Sequence, residues 1–114
     1  MTTASTATPE RPRVNSAAPF APRPRPTVPA HILRSEAEAL EVAERLRVQF
    51  AQEAGLRDRE GYLPLAEIDA YSQSGLWALN VPKAYGGLGA SYATIAKVSA
   101  LIAAGDSCIA QIAH

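Results

Sequence analysis

Apolar residues recur every three or four positions through residues 36–54, the spacing that places side chains on one face of a helix. These positions are Leu40, Ala43, Leu46, Phe50 and Ala54. Ser35 and Glu38 fit a capping box, in which the Ser35 hydroxyl accepts the Glu38 amide and the Glu38 carboxylate returns to the Ser35 amide. Gly55 offers a left-handed residue to end the helix. The pattern therefore predicts a first helix over 36–54.

A charged stretch at 57–61 separates this helix from the next and is predicted to be a loop. Leu63 and Pro64 open a second, shorter helix, because proline suits the first turn, where its missing amide costs nothing. Its buried side is expected to carry Leu65, Ile68 and Tyr71 or Ser72. Gly75 ends it.

Residues 76–81 are apolar and are predicted to be extended, because Pro82 stops a helix from running through them. Three glycines then fall within 85–89, which indicates positive φ or a close backbone approach. The segment lacks the glycine spacing of a dinucleotide-binding loop and the Lys-Ser/Thr of a P-loop. We therefore interpret it as a structural turn that folds 77–81 back against the helices. The turn residues are Val81, Pro82, Tyr85, Gly86, Gly87 and Gly89.

Ser91 can cap a third helix that Gly105 ends, and Asp106 can cap a fourth. The third helix has its apolar stripe at Ile95, Val98, Leu101 and Ile102, and the fourth carries Ile109, Ile112 and Ala113. The chain reaches residue 114 after about two turns of the fourth helix, and a helix this short is marginal by itself. We therefore expect an all-α bundle that is truncated in its fourth helix.

The first thirty residues differ from the rest in composition, since they contain seven of the nine prolines. They predict a disordered, partly polyproline-II tail over 1–30, followed by a helical domain over 31–114. An organelle transit peptide is the weaker interpretation, because the prolines prevent an amphipathic helix. Docking of the tail on a proline-binding domain stays open.

Charge and cysteine content narrow the class of protein. The first thirty residues hold four arginines against one glutamate, a net +3, and the remainder carries −3. Neither region has the basic stripe of a nucleic-acid surface, and no run of eighteen apolar residues suggests a membrane span. The single cysteine fits a reducing compartment, so we expect a cytoplasmic protein without nucleic-acid or membrane partners.

Few residues are candidates for chemistry. His31 has no metal-ligand spacing around it and is expected to lie on the surface, so no metal site is predicted. Cys108 lies in the first turn of the fourth helix and is expected to be a small buried residue. The glutamates of the first helix are explained by capping and by its solvent face. No catalytic residue is assigned.

Several of these segments together resemble a known family. Residues 81–89 read Val-Pro-Lys-Ala-Tyr-Gly-Gly-Leu-Gly, and Gly75, Leu76 and Trp77 precede them. This resembles the N-terminal domain of acyl-CoA dehydrogenases, in which two helices are followed by a Gly-Leu-(aromatic or Leu)-x-x-x-Val-Pro-x-x-Tyr-Gly-Gly-x-Gly passage. The next helices follow it, the last with an Asp-Ser/Pro-Ser-like start. Residues 106–108 match that start. Segments 29–33, 58–60, 63–67 and 109–112 further resemble the sulfur-acquisition branch, flavin-dependent monooxygenases of organosulfur compounds.

The resemblance implies a function for a larger protein. Family members add a β-domain and a C-terminal four-helix domain, which hold FAD or FMN, and they form homo-oligomers, usually tetramers. The monooxygenase-like members use reduced flavin and oxygen on a small-molecule substrate, and place a histidine in the fourth helix just beyond residue 114. His114 is therefore not given that role. The resemblance implies that the fourth helix forms part of the substrate-cavity wall, through Ile109, Gln111, Ile112 and His114.

Two other functions stay open at this point. One is acyl-CoA dehydrogenation proper, whose catalytic carboxylate lies in the C-terminal domain of that family and has no counterpart here. The other is a non-catalytic helical interaction module. We further expect the 114-residue chain alone to bind flavin weakly or not at all.

Overall fold

The computed structural model describes Arg11, Arg13 and residues 24–113. The predicted disorder of 1–30 falls mostly on residues outside this range, as does His114. The described residues form five α-helices, as the all-α prediction requires. These are α1 (Glu36–Ala51), α2 (Ala54–Glu60), α3 (Leu65–Gln73), α4 (Tyr92–Gly105) and α5 (Ser107–Ile112). Two 3-10 turns, Leu76–Ala78 and Lys83–Tyr85, lie between α3 and α4.

The α1–α4 pair forms the centre of the domain. Helix α1 contributes the buried side chains Val42, Leu46 and Phe50, and α4 contributes Val98 and Ile102. Leu40 and Ile95, which were predicted for the two stripes, are only partly buried and pack at the edge of this core. Burial of such side chains contributes about 1.5–3 kcal/mol each, so this pair of helices supplies much of the hydrophobic stabilisation.

Gly105 is the last residue of α4, as predicted, and it has a second role that the sequence did not show. It lies directly against the backbone of α1, so that a Cβ there would stand 2.5 Å from the Arg47 carbonyl oxygen. The two helix backbones can approach this closely only because position 105 has no side chain. The φ of Gly105 is not among the positive values, and the helix is broken by the next residue, Asp106, whose φ is −156°.

The first helix is shorter than predicted, and the prediction of a charged loop at 57–61 was wrong. α1 ends at Ala51, and residues 57–60 belong to a second helix, α2, in which Gly55 adopts no positive φ. The left-handed residue is Gly61, with φ 65°, and its amide donates to the Arg57 carbonyl. Residues 57–60 lie in a helix because Arg57 is buried by α1 and α3, a tertiary contact that a run of charges does not reveal.

The two predicted caps on either side of the core are present, one with a changed partner. The Ser35 hydroxyl accepts the Glu38 amide at 3.1 Å, as predicted. The Glu38 carboxylate, however, accepts the Arg34 amide at 2.7 Å and not the Ser35 amide. Ser91 caps α4 by accepting the Thr94 amide. α3 begins after Pro64 and is followed by Gly75, with φ 87°, both as predicted.

The prediction that 76–81 is extended was wrong, because Leu76–Ala78 forms a 3-10 turn and Leu79 after it also has helical backbone angles, φ −54° and ψ −49°. A glycine turn follows in the segment for which a structural turn was predicted. Gly86 and Gly89 have φ of 84° and 59°, and a Cβ at Gly87 would stand 2.0 Å from the Val81 carbonyl oxygen. Amides after the turn donate back to carbonyls before it: Leu88 to Ala78, Gly89 to Val81 and Ala90 to Leu79.

No helix in the described range has the length and apolar character needed to cross a membrane.

Candidate functional site

A buried guanidinium joins four elements at the end of α1. Arg57 is 5% exposed and donates to three different groups, which with Arg57 we call the Arg57 cluster. The acceptors are the Phe50 carbonyl oxygen at 2.6 Å, Glu67 Oε1 at 2.9 Å and Asp106 Oδ2 at 2.7 and 3.1 Å. Charge-assisted hydrogen bonds of this kind are strong and directional. The cluster therefore fixes α1, α2, α3 and the start of α5 relative to one another.

Asp106 orients α5 through its second carboxylate oxygen. While Oδ2 accepts from Arg57, Oδ1 accepts the amides of Cys108 and Ile109 at 2.9 and 3.2 Å. This confirms Asp106 as the cap of the fourth predicted helix. One carboxylate thus joins the first turn of α5 to the buried guanidinium, so the direction of a helix of only six residues is set by the fold around it.

The two sides of α5 differ in exposure. Ile109 and Ala110 are buried in the core, whereas Cys108, Gln111 and Ile112 are exposed, with Ile112 at 51%. The expectation that Cys108 is buried was wrong, because it is exposed in the first turn of α5. Among the predicted cavity-wall residues, Ile109 therefore lies behind the exposed surface, Gln111 and Ile112 lie on it, and His114 is outside the described range.

A cleft of about 550 Å³ lies beside α5. Its walls come from α2, the loop after it and the α4–α5 junction, and include Arg57, Tyr62, Asp106 and Cys108. This volume would accommodate a small ligand. Two of the charged groups of the cleft, Arg57 and Asp106, are already paired with each other.

The described residues do not by themselves fit a flavin in this cleft. A flavin phosphate would need unpaired donors, but the Arg57 guanidinium is taken up by Phe50, Glu67 and Asp106. The first amides of α5 are likewise accepted by Asp106 Oδ1. These groups alone would therefore not hold a flavin.

The other residues considered from the sequence lie apart from this cleft. His31 is exposed, as predicted, and its Nε2 lies 2.5 Å from Glu38 Oε1. Acceptance of the Arg34 amide, and then the His31 contact, hold the pKa of Glu38 below its ordinary 4.5. Within the described residues, no group of three His, Cys, Asp or Glu side chains could hold a metal ion.

Sequence reasoning missed Arg57 and Glu67. Arg57 was placed in a charged loop and Glu67 was given no role in the second helix, yet both are buried. No local pattern marked either residue, because Arg57 meets Glu67 and Asp106 ten and forty-nine positions away.

The comparisons with known proteins agree on one family. The family model described as "Acyl-CoA dehydrogenase, N-terminal domain" matches residues 35–114. A curated relative, the "Probable FMNH2-dependent monooxygenase SfnC" of Pseudomonas putida, is 46% identical over 74 residues. The aligned part covers 65% of this chain but only 19% of the relative, so this chain matches about a fifth of that protein. No solved structure gives a significant match.

Proposed function

Since this chain belongs to the acyl-CoA dehydrogenase family through its N-terminal domain, we propose that it is the N-terminal helical part of a flavin-dependent monooxygenase. The observation that carries the proposal is the 46% identity to a probable FMNH2-dependent monooxygenase, which reaches over 74 residues. Such an identity over one domain favours shared chemistry more than fold alone does. The substrate class we propose is a small organosulfur compound, and the proposed assembly is a homo-oligomer.

Within that protein, the exposed side of α5 would form part of the substrate-cavity wall. Gln111 and Ile112 are the predicted wall residues that lie on that side, and Ile109 supports them from behind. The wall needs a fixed position, since a displacement of about 1 Å can cost a hundredfold in rate. The Asp106–Arg57 contact supports this role because it holds the first turn of α5 rigidly.

An exposed isoleucine beside a polar glutamine suits the proposed wall in chemical terms. Apolar surface excludes water from the reacting centre, which protects reduced flavin from wasteful reaction. The flavin, FMN or FAD, would supply the redox chemistry when bound by other parts of the protein. The residues of this chain would contribute shape and the exclusion of water.

The direct test uses the polypeptide expressed from the natural gene. Purified protein is supplied with reduced FMN and oxygen, and oxygenation of a panel of sulfones and thiophenes is measured by mass spectrometry. We expect an oxygenated product that depends on FMNH2. Anaerobic reduction of a bound flavin by an acyl-CoA thioester, without oxygenation, would contradict the proposal and favour a dehydrogenase.

A matched pair of variants tests the role of α5. Ile112→Trp should raise KM or change substrate preference at least tenfold, a difference of about 1.4 kcal/mol. Tyr92→Trp is the control, because Tyr92 is 91% exposed and begins α4, about 20 Å along the helix from α5. Equal kinetics for Ile112→Trp and Tyr92→Trp would contradict the cavity-wall role.

The 114-residue chain offers a further measurement. It should retain no stoichiometric FMN or FAD after gel filtration, because the donors beside α5 are already paired. Retention of one flavin per chain, seen by absorbance, would contradict our account of which parts hold the cofactor.

A further inference from the structure

Part of the N-terminal region contacts the helical domain at a defined place. One terminal nitrogen of Arg11, Nη2, lies 2.5 Å from Glu53 Oε2, and the other, Nη1, lies 3.6 Å from Glu67 Oε1. Arg13 forms an isolated antiparallel bridge with Tyr62, and its guanidinium carbon lies 5.4 Å from the centre of the Tyr62 ring. Two arginines two positions apart thus meet two carboxylates and one aromatic ring.

The charges beneath this contact are unbalanced without Arg11. The Arg57 cluster holds one guanidinium and two carboxylates, those of Glu67 and Asp106, all at most 9% exposed as side chains. A buried charge without a partner is expensive, so a second positive group is favoured at this place. Arg11 is the cation that approaches Glu67 from outside the cluster.

Glu67 is also incompletely satisfied. The Glu67 side chain is 8% exposed, yet its Oε2 atom has no hydrogen-bond partner. The buried Nη1 atom of Arg11 has none either. A carboxylate oxygen buried in this way normally has a donor. Because the unsatisfied donor and acceptor belong to neighbouring side chains, a small movement of Arg11 would satisfy both. An acceptor on Glu67 and a donor on Arg11 that can satisfy each other are what a cationic ligand and its site would provide.

Tyr62 binds the Arg13 guanidinium through its aromatic ring, a contact that does not involve Glu53 or Glu67. Its ring receives the Arg13 guanidinium, an interaction worth about 0.5–1 kcal/mol at an exposed site. Its position follows from Gly61, whose φ of 65° ends α2, and from its own amide, which donates to the Arg57 carbonyl at 3.1 Å. The ring is therefore held beside the Arg57 cluster by the backbone itself.

We propose that Glu53, Glu67 and Tyr62 form a binding site for an Arg-x-Arg peptide, occupied by segment 11–13 of this chain. The chemistry of the site defines its ligand class, because each of the two carboxylates and the aromatic ring can receive a guanidinium group. The sequence contains Arg-Pro-Arg twice, at 11–13 and 23–25, which gives the site a second possible occupant. The contacts of Arg11 and Arg13 favour the first copy.

Occupation of the site would stabilise α5 as well. Glu67 binds Arg57, and Arg57 binds Asp106, which caps α5. A cation on Glu67 lowers the net charge of this chain of contacts and so favours its buried arrangement. The inference does not rest on flavin chemistry, and the tests below need no activity assay.

The first test is a double-mutant cycle in the full 114-residue chain. Arg11→Gln should lower the folding equilibrium constant roughly fivefold to thirtyfold in urea unfolding. Arg25→Gln is the matched control, since Arg25 is an exposed arginine beside prolines in the same region, and its effect should stay within about twofold. In a Glu67→Gln background Arg11→Gln should lose part of its effect, because its contact with Glu53 remains.

A second double-mutant cycle uses Glu53 and remains informative even if Glu67→Gln prevents folding. Glu53 is 45% exposed, so Glu53→Gln should fold, and Arg11→Gln should again lose part of its effect in that background. Equal effects of Arg11→Gln in all backgrounds would overturn the proposal, as would an effect no larger than that of Arg25→Gln.

The third test supplies the ligand separately. The full chain carrying Arg11→Gln and Arg13→Gln is titrated with a synthetic peptide of residues 8–16 and followed by NMR. Saturable shifts at Glu53, Tyr62 and Glu67 are expected, with none from the same peptide carrying glutamine at both arginines. Equal shifts from the control peptide would overturn the site. Tighter binding of a peptide of residues 20–28 would overturn the assignment to segment 11–13.

Discussion

The contact between α1 and α4 is mainly apolar, whereas the contact at the C-terminal end of α1 is made by one guanidinium and two carboxylates. The first contact, through residues such as Phe50 and Ile102, stabilises in proportion to the area removed from water and has no direction. The second must offset a large desolvation cost, and it succeeds only with the hydrogen bonds in place. The apolar contact therefore supplies free energy, and the Arg57 cluster supplies position.

This difference has a functional consequence. The Arg57 cluster lies where α5 begins, and α5 carries the surface that we propose as a substrate-cavity wall. A wall needs a fixed location more than it needs added stability, and directional bonds provide the location. Substitutions in the two regions should therefore differ in size and in the way they can be rescued.

The largest effect is expected for Arg57→Ala, which should cost about 3–5 kcal/mol because it leaves the buried carboxylates of Glu67 and Asp106 without their shared guanidinium. Urea unfolding at neutral pH measures it. Arg59→Ala is the control in the same helix, since Arg59 is 71% exposed, and it should change stability by no more than about 0.5 kcal/mol. Adding Glu67→Gln should recover part of the Arg57→Ala loss. Failure of that rescue would mean that the unpaired charge is not the cause.

In the apolar contact, Ile102→Ala should cost about 2–5 kcal/mol through lost burial and the cavity that remains. Ile112→Ala removes the same atoms from an exposed position of α5 and should change stability by less than about 0.5 kcal/mol. Both are measured by chemical denaturation. A loss from Ile112→Ala comparable with that from Ile102→Ala would contradict the exposure of this face of α5.

A pair of glycines separates close packing from helix propensity. Gly105→Ala should destabilise by about 1–3 kcal/mol, because the new Cβ would collide with the Arg47 backbone. Gly55→Ala should instead stabilise by about 0.4–1 kcal/mol, because Gly55 lies inside α2 with open space around it. Thermal melts of the two variants should therefore shift in opposite directions. Destabilisation by Gly55→Ala would favour the left-handed role that the sequence suggested.

The smallest expected effect is on the pH dependence of stability, and it concerns the exposed N-terminal part of α1. The pKa of Glu36 is lowered, chiefly because its carboxylate accepts the Ser91 amide, and that of Glu38 chiefly because it accepts the Arg34 amide. A lowered folded-state pKa stabilises above the ordinary value of 4.5, and this contribution is lost as the pH falls through the lowered value.

NMR titration of the side-chain carboxyls should show midpoints below 4.5 for Glu36 and Glu38. Glu36→Gln should reduce the loss of stability between about pH 5 and about pH 3. An unchanged loss in Glu36→Gln would contradict the contact between Glu36 and Ser91.

Local signals made the helix starts predictable. Ser35, Ser91 and Asp106 each cap a helix by accepting amides two or three residues later, so the interaction lies within a short stretch of sequence. The turn at 85–89 was predictable for a related reason, since glycine is the residue that adopts positive φ without strain. Both kinds of evidence concern the backbone near a single residue.

Contacts between distant segments explain the errors. Residues 57–60 were taken for a loop because four consecutive charged or polar residues usually face water, and nothing within them reveals that Arg57 is buried. Cys108 was expected to be buried because cysteine commonly is, although its place on α5 turns it outward. The partners that decide these positions lie elsewhere in the chain.

By itself, the sequence determined the class of fold, the caps, the glycine turn and the family to which they belong, because each depends on residues close together in the chain. Only the tertiary structure decided that Gly105 serves helix contact and that Arg57 joins Glu67, ten residues away, and Asp106, forty-nine residues away. The physical reason is the range of the interactions. Periodicity and capping act over one or two helical turns, whereas a buried charge takes whichever partners the packed helices bring to it.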